Sequence, residues 1–141
     1  MQFTKAEEYG MLGVLYLASK GMKSITPLSE ISETQAIPEK FLAKIFQSLS
    51  RYGIIRSHRG VRGGFSMAKK PNEVSVKDVL EAIQGPYHLT KCIKETDICD
   101  KSVFCSIREL LIIAENNMVS VFQKHTLADL IKWQKNSAIT A

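Results

Sequence analysis

The stretch from Pro38 to Met67, PEKFLAKIFQSLSRYGIIRSHRGVRGGFSM, changes its hydrophobic period halfway along. Phe41, Leu42, Ile45, Phe46 and Leu49 fall at i, i+1, i+4, i+5 and i+8, one face of an α-helix, and leave Glu39, Lys40, Ala43, Lys44 and Gln47 off that face. Pro38 suits a helix start and Gly53 a helix stop. Beyond Gly53 come two short β-prone pieces, Ile54 to Ser57 and Phe65 to Met67, bracketing His58-Arg59-Gly60-Val61-Arg62-Gly63-Gly64. A helix followed by a hairpin with a basic, glycine-rich tip is expected. Between Lys40 and Lys70 there are eight Lys or Arg residues and no Asp or Glu, whereas the rest of the chain has eleven basic residues against fourteen acidic ones. The net charge of +5 is therefore concentrated on this one stretch.

Upstream, Thr4 and Glu7 make a T-x-x-E capping box ahead of the apolar run from Tyr9 to Ala18, predicting a largely buried first helix that stops at Gly21. Thr26-Pro27 reads as an N-cap followed by proline at the first helical position, opening a short second helix with Leu28 and Ile31 on one face and an end near Thr34. The turn near Gln35-Ala36-Ile37 then separates two short helices, the sequence form of a helix-turn-helix. Downstream, Ser75 and Asp78 cap a fourth helix carrying Val76, Val79, Leu80 and Ile83, which Gly85-Pro86 breaks. From Pro86 to Lys101 no clean periodicity is visible.

From Ser102 to Lys124, the residues Val103, Ile107, Leu110, Ala114, Asn117 and Val121 alternate three- and four-residue steps, with Phe104, Leu111, Met118 and Phe122 beside them. Such a helix, about 30 Å long, calls for a partner along its length. A last short helix is expected from Thr126, carrying Leu127, Leu130, Ile131 and Trp133. The expected fold class is mainly α with a small β-hairpin. It is organised as a winged helix-turn-helix DNA-binding domain over residues 1–84, a cysteine-containing sensor loop over 85–101, and a long dimerisation helix with a C-terminal helix over 102–141.

A chain of 141 residues can bury a core without disulfide or metal staples, and 45% hydrophobic with 23% charged residues is a globular composition. No apolar run approaches the roughly 20 residues a membrane span needs, and no signal peptide opens the sequence, so a cytoplasmic location without a membrane partner is expected. No nucleophile–base pair, P-loop or H-E-x-x-H motif points to an enzyme.

Duplex DNA presents closely spaced phosphates that bind Lys and Arg by releasing counterions, and its base edges are read by a helix in the major groove. Lys40, Ala43, Lys44 and Gln47 are the candidates for that groove, being off the apolar face and near the helix start. Arg59 and Arg62 sit at a tip whose glycines permit close backbone approach to phosphates or the minor groove, and Lys69 and Lys70 are further phosphate candidates. The bland alternative is a merely solvated basic face; the adjoining helix-turn-helix and glycine-arginine hairpin favour nucleic acid over it.

The run Pro38-Glu39-Lys40-Phe41-Leu42-Ala43-Lys44-Ile45, with Leu49, Gly53, Arg59-Gly60, Gly63-Gly64-Phe65 and Val79, resembles the Rrf-two family of winged-helix transcription regulators, which includes IscR, NsrR, RirA and CymR. The resemblance runs from about Met1 to the end of the long helix. It implies a homodimer in which the long helix crosses its partner, and it matches Arg59 to the family's wing arginine. The positions at which IscR reads bases are Lys40, Ala43 and Lys44 here, with different residue types at all three, so an operator unlike that of IscR is expected.

Cys92, Cys99 and Cys105 are spaced C-x6-C-x5-C among Lys91, Lys94 and Lys101. Three thiolates with lysines nearby suit an iron-sulfur cluster. A structural or redox-active thiol set stays open beside it, as does zinc with His88 as a fourth ligand. The family resemblance implies the cluster, because its cluster-binding members place three cysteines here. The histidine that completes the IscR site corresponds to Arg108, which cannot ligate, so 4Fe-4S is favoured over 2Fe-2S. Glu8 matches the acidic ligand near the N-terminus of NsrR; taken alone, it is a first-turn carboxylate favoured by the helix dipole.

The resulting expectation is a homodimer on a roughly palindromic double-stranded operator, its affinity controlled by a cluster that senses iron, redox state or nitric oxide. The alternative is a cluster-free thiol- or metabolite-responsive repressor of the same fold.

Overall fold

The computed structural model describes residues 3–89 and 106–140. The Thr4 hydroxyl accepts from the Glu7 N–H at 3.2 Å while the Glu7 carboxylate accepts from the Thr4 N–H at 3.0 Å, and this closed capping box starts α1, Lys5–Ser19. Helices α2, Leu28–Gln35, and α3, Glu39–Arg51, form the helix-turn-helix, with Ala36 in the left-handed region (φ 53°) making the turn. Strands β1, Ile55–His58, and β2, Gly64–Met67, make an antiparallel hairpin that pairs Ile55 with Met67 and His58 with Gly64. A 3₁₀ turn over Pro71–Glu73 leads to α4, Val76–Gln84, which opens on a second capping box between Ser75 and Asp78. After the cysteine segment come α5, Ser106–Lys124, and α6, Leu127–Thr140.

The second helix departs from expectation at its start. Pro27, not Thr26, occupies the N-cap position, because the Thr26 backbone is taken up by a β-bridge to Phe65. The last helix is longer than expected, since Gln134 to Ala138 contains neither Gly nor Pro to end it. Of the long helix expected from Ser102, the first four residues lie outside the described ones. No helix among the described residues is long and apolar enough to cross a membrane.

Val14, Leu17, Ile31, Leu42, Phe46, Leu49 and Val79 are wholly buried and join α1 to α4 in one core. Two glycines let α1 lie close against its neighbours. A Cβ at Gly13 would stand 2.9 Å from Phe46 Cε1 and 3.0 Å from Leu42 Cδ1, and one at Gly10 would overlap Ile83. Phe41, expected on the apolar face, is half-exposed and stands edge-on to Tyr9. Of the two C-terminal helices, α6 shares this core through the wholly buried Leu127. The Val76 N–H donates to the His125 carbonyl at 2.9 Å, and the Leu127 N–H to the Val74 carbonyl at 3.0 Å.

The root of the hairpin is the tightest point. Thr26 and Phe65 exchange backbone hydrogen bonds at 2.8 and 2.9 Å, and a Cβ on the adjacent Gly64 would overlap the Thr26 carbonyl. Replacing Gly64 with Ala must push these backbones apart, and is expected to destabilise the fold by about 1–3 kcal/mol, the usual cost of overpacking. Thermal unfolding of the Gly64→Ala protein checks this; an unchanged midpoint contradicts it.

Candidate nucleic-acid interface and cysteine segment

Helix α3 and the hairpin are fixed to one another from the inside. The Phe46 and Phe65 rings meet edge to face at 5.1 Å, so the wing is seated on the buried side of α3. The opposite faces leave between them a groove of about 300 Å³ lined by Ala43, Gln47, Ser50, Arg51, Ser57 and Phe65. Lys40, Lys44 and Gln47 are exposed, and Ala43 is half-buried at the groove. Arg59 and Arg62 are exposed at the wing tip, where Gly60 (φ 103°) turns the chain and its carbonyl accepts from the Gly63 N–H at 2.9 Å.

All eight basic residues between Lys40 and Lys70 are exposed, and none forms an ion pair with another described residue. Their charge is thus uncompensated by any ion pair among the described residues. Of the four expected α3 residues the structure places Ala43 and Gln47 at this groove, whereas Lys44 lines a separate hollow with Ala6, Phe41, Ile45, Ser48 and Ile83, and the two wing arginines lie on the hairpin that abuts α3. It also adds Ser50, Arg51 and Ser57, which sequence patterning does not place. Arg51 lies in the basic stretch, but its position at the groove depends on β1 folding back alongside α3.

Cys92, Cys99 and Cys105 lie outside the described residues, so the expected cluster site is visible only at its edges. Among the described residues no group of three or more His, Cys, Asp or Glu side chains converges. Three thiols are by their chemistry suited to iron-sulfur ligation. Glu8 is half-exposed in the first turn of α1 and pairs with Lys5 at 3.2 Å. The residues before the segment are held to α5: the Glu115 carboxylate, 8% exposed, accepts from His88 Nδ1 at 3.1 Å and from the Leu89 N–H at 2.9 Å. Sequence patterning gives no sign of Glu115, which lies between the seam residues Ala114 and Asn117. Tyr87 stands edge-on to Phe122, and burial, with the nearby Glu7 charge, raises its hydroxyl pKa above the ordinary tyrosine value.

Helix α5 carries an uncovered apolar stripe. Ile107, Leu110, Ile113 and Val121 are each more than half exposed, and Ala114 and Asn117 are exposed along the same expected seam. Val121 also lines an apolar cavity of about 310 Å³ with Phe3, Met11, Phe122, His125 and Trp133.

A helix-turn-helix with a hairpin seated on its third helix is the architecture of a winged-helix transcription regulator. The Rrf2 family model, whose description is iron-dependent transcriptional regulator, matches residues 3–133, and the chain belongs to this family. Its members are transcriptional regulators and not enzymes. Solved structures share the fold. CymR of B. subtilis, described as its global cysteine regulator, is 23% identical, with 94% of this chain and 98% of that one covered at a TM-score of 0.78. IscR of T. potens is 21% identical over 97% of this chain and 90% of that one, at 0.79. CymR of Staphylococcus aureus is 23% identical over 91% and 96%, at 0.74.

If Phe65 sets the angle of the wing, Phe65→Ala weakens DNA binding even under conditions where the variant is fully folded. The expected result in a gel-shift titration, at a temperature where the variant is fully folded by circular dichroism, is a loss of roughly tenfold, the equivalent of about 1.4 kcal/mol. Unchanged affinity contradicts a positioning role for this ring.

Proposed function

We propose that this protein is a homodimeric regulator that binds a roughly palindromic DNA operator and whose affinity is set by an iron-sulfur cluster at Cys92, Cys99 and Cys105. The observation that carries the DNA part is that all eight basic residues between Lys40 and Lys70, on and beside α3 and the wing, are exposed and form no ion pair among the described residues. Lys40, Ala43, Lys44 and Gln47 face the major groove. Arg59 and Arg62 reach phosphates or the adjacent minor groove. Because Lys40, Ala43 and Lys44 differ from the base-reading residues of IscR, the operator differs as well. Residues 1–84 act as the DNA-binding unit, 85–101 as the sensor loop and 102–141 as the dimerisation unit.

The uncovered stripe on α5 supports the dimer. Its apolar residues from Ile107 to Val121 span about 21 Å of helix and suit a second copy of the same helix. Each monomer then meets one half-site.

Three thiolates support the cluster, and Arg108 in place of the IscR histidine favours 4Fe-4S over 2Fe-2S with Glu8 as the fourth ligand. When bound, such a cluster supplies an iron centre reactive toward oxidants, nitric oxide and iron loss. The protein's part is to hold it with the three thiolates and to free Glu8 from Lys5. A cluster-free, thiol- or metabolite-responsive repressor is the second reading; the likeness to CymR of B. subtilis, described as a global cysteine regulator, favours it.

Anaerobic purification with an absorbance spectrum and iron and sulfide quantification separates the two. The cluster reading expects coloured protein with iron and sulfide in near-equal amounts, bleached by nitric oxide or chelator, and a changed spectrum in Glu8→Ala. Colourless, iron-free protein contradicts the cluster, and an unaltered Glu8→Ala spectrum rejects Glu8 as a ligand.

A further inference from the structure

Glu115 is the one acidic residue of α5 that is buried, and both of its oxygens are occupied by the chain segment that leads into the cysteines. His88 donates through Nδ1 at 3.1 Å and Leu89 through its backbone N–H at 2.9 Å. Separating the segment from α5 leaves a buried carboxylate without its donors, which is costly. The two donors together therefore favour the conformation in which the segment stays against α5.

Its position makes it a junction. Leu89 precedes Cys92 by three residues, and Ser106, the first described residue of α5, follows Cys105 directly. Both ends of the cysteine-bearing segment are thus tied to the same helix, at positions nine residues or about 13 Å apart. From the same root, Tyr87 reaches Phe122 on α5, and the Gln84 side chain donates to the Thr4 hydroxyl at the start of α1 at 3.0 Å. Helix α1 in turn lies against Leu42 and Phe46 of α3 through Gly13.

We propose that Glu115 is the positioning residue that couples the cysteine segment to the long helix, so that the state of the thiols changes how α5 and α1 hold the DNA-reading helix. This rests on Cys92, Cys99 and Cys105 being the sensor. The Glu115 contact with His88 and Leu89 is the point of coupling, because it holds the chain to a buried carboxylate of α5 three residues before Cys92 in the sequence.

The test compares wild type, Glu115→Ala, which removes the acceptor of both bonds, and His88→Ala, which removes one of the segment's two donors without altering a residue of α5. For each, operator affinity is measured by fluorescence anisotropy on the cluster-loaded protein and on the same protein stripped by chelator. Amide exchange at Leu89 is measured on the stripped form. Wild type is expected to show a loaded-to-stripped affinity ratio within roughly 5–150-fold, the usual span of allosteric coupling, and both variants a ratio within about twofold of one, with iron content unchanged. Leu89 is expected to lose its exchange protection in Glu115→Ala, which removes its acceptor, and to have it reduced in His88→Ala, which removes the neighbouring bond. A ratio preserved in the variants, or Leu89 protection undiminished in them, overturns the role of Glu115 alone. A wild-type ratio of one overturns the sensor reading, and this inference with it. Should Glu115→Ala fail to fold by circular dichroism, His88→Ala decides.

Discussion

Phe65 exchanges two backbone hydrogen bonds with Thr26 while its ring stands edge-on to Phe46 in the core, and everything the molecule presents to DNA follows from that double attachment. The bridge ties the entry of the helix-turn-helix to the wing. The ring contact ties the wing to α3. With both in place, the wing that carries Arg59 and Arg62 is fixed against α3, which carries Lys40, Lys44 and Gln47. Gly64 is required because the bridge brings the two backbones too close for any Cβ.

Around this attachment a few small residues and caps orient the helices. Gly10 and Gly13 allow α1 to approach α4 and α3, and the three capping boxes at Thr4, Ser75 and Thr126 satisfy helix ends that would otherwise leave open N–H groups. At Thr126 the backbone N–H bond to Asp129 also lowers that carboxyl below its ordinary pKa. The outward side of α5 stays apolar and uncovered, while its inward side accepts the root of the cysteine segment at Glu115. One helix therefore faces both the expected partner and the expected sensor.

Much of this is legible in the sequence because local chemistry decides it. The period of Phe41 to Leu49, the Thr4 and Ser75 boxes and the glycines of the hairpin place α1, α3, α4 and the wing within a residue or two, and the charge count marks the interface. What is not legible depends on distant partners. Thr26 has the form of an N-cap, but a residue thirty-nine positions away claims its backbone. Arg51 joins the groove only when β1 returns beside α3. Glu115 looks like any solvated helix acid until Leu89 and His88 are laid upon it.

The central claim is that α3 and the wing form one electrostatic surface for duplex DNA, and salt dependence measures it most directly. With an operator duplex selected from random sequence, affinity is titrated across salt concentrations for wild type and for the Lys44→Glu, Arg59→Glu double variant. The account predicts a steep wild-type slope, reduced by about 0.9 for each phosphate that is no longer neutralised, together with a large fall in affinity at moderate salt. A double variant that binds as tightly as wild type, on the same slope, would contradict it.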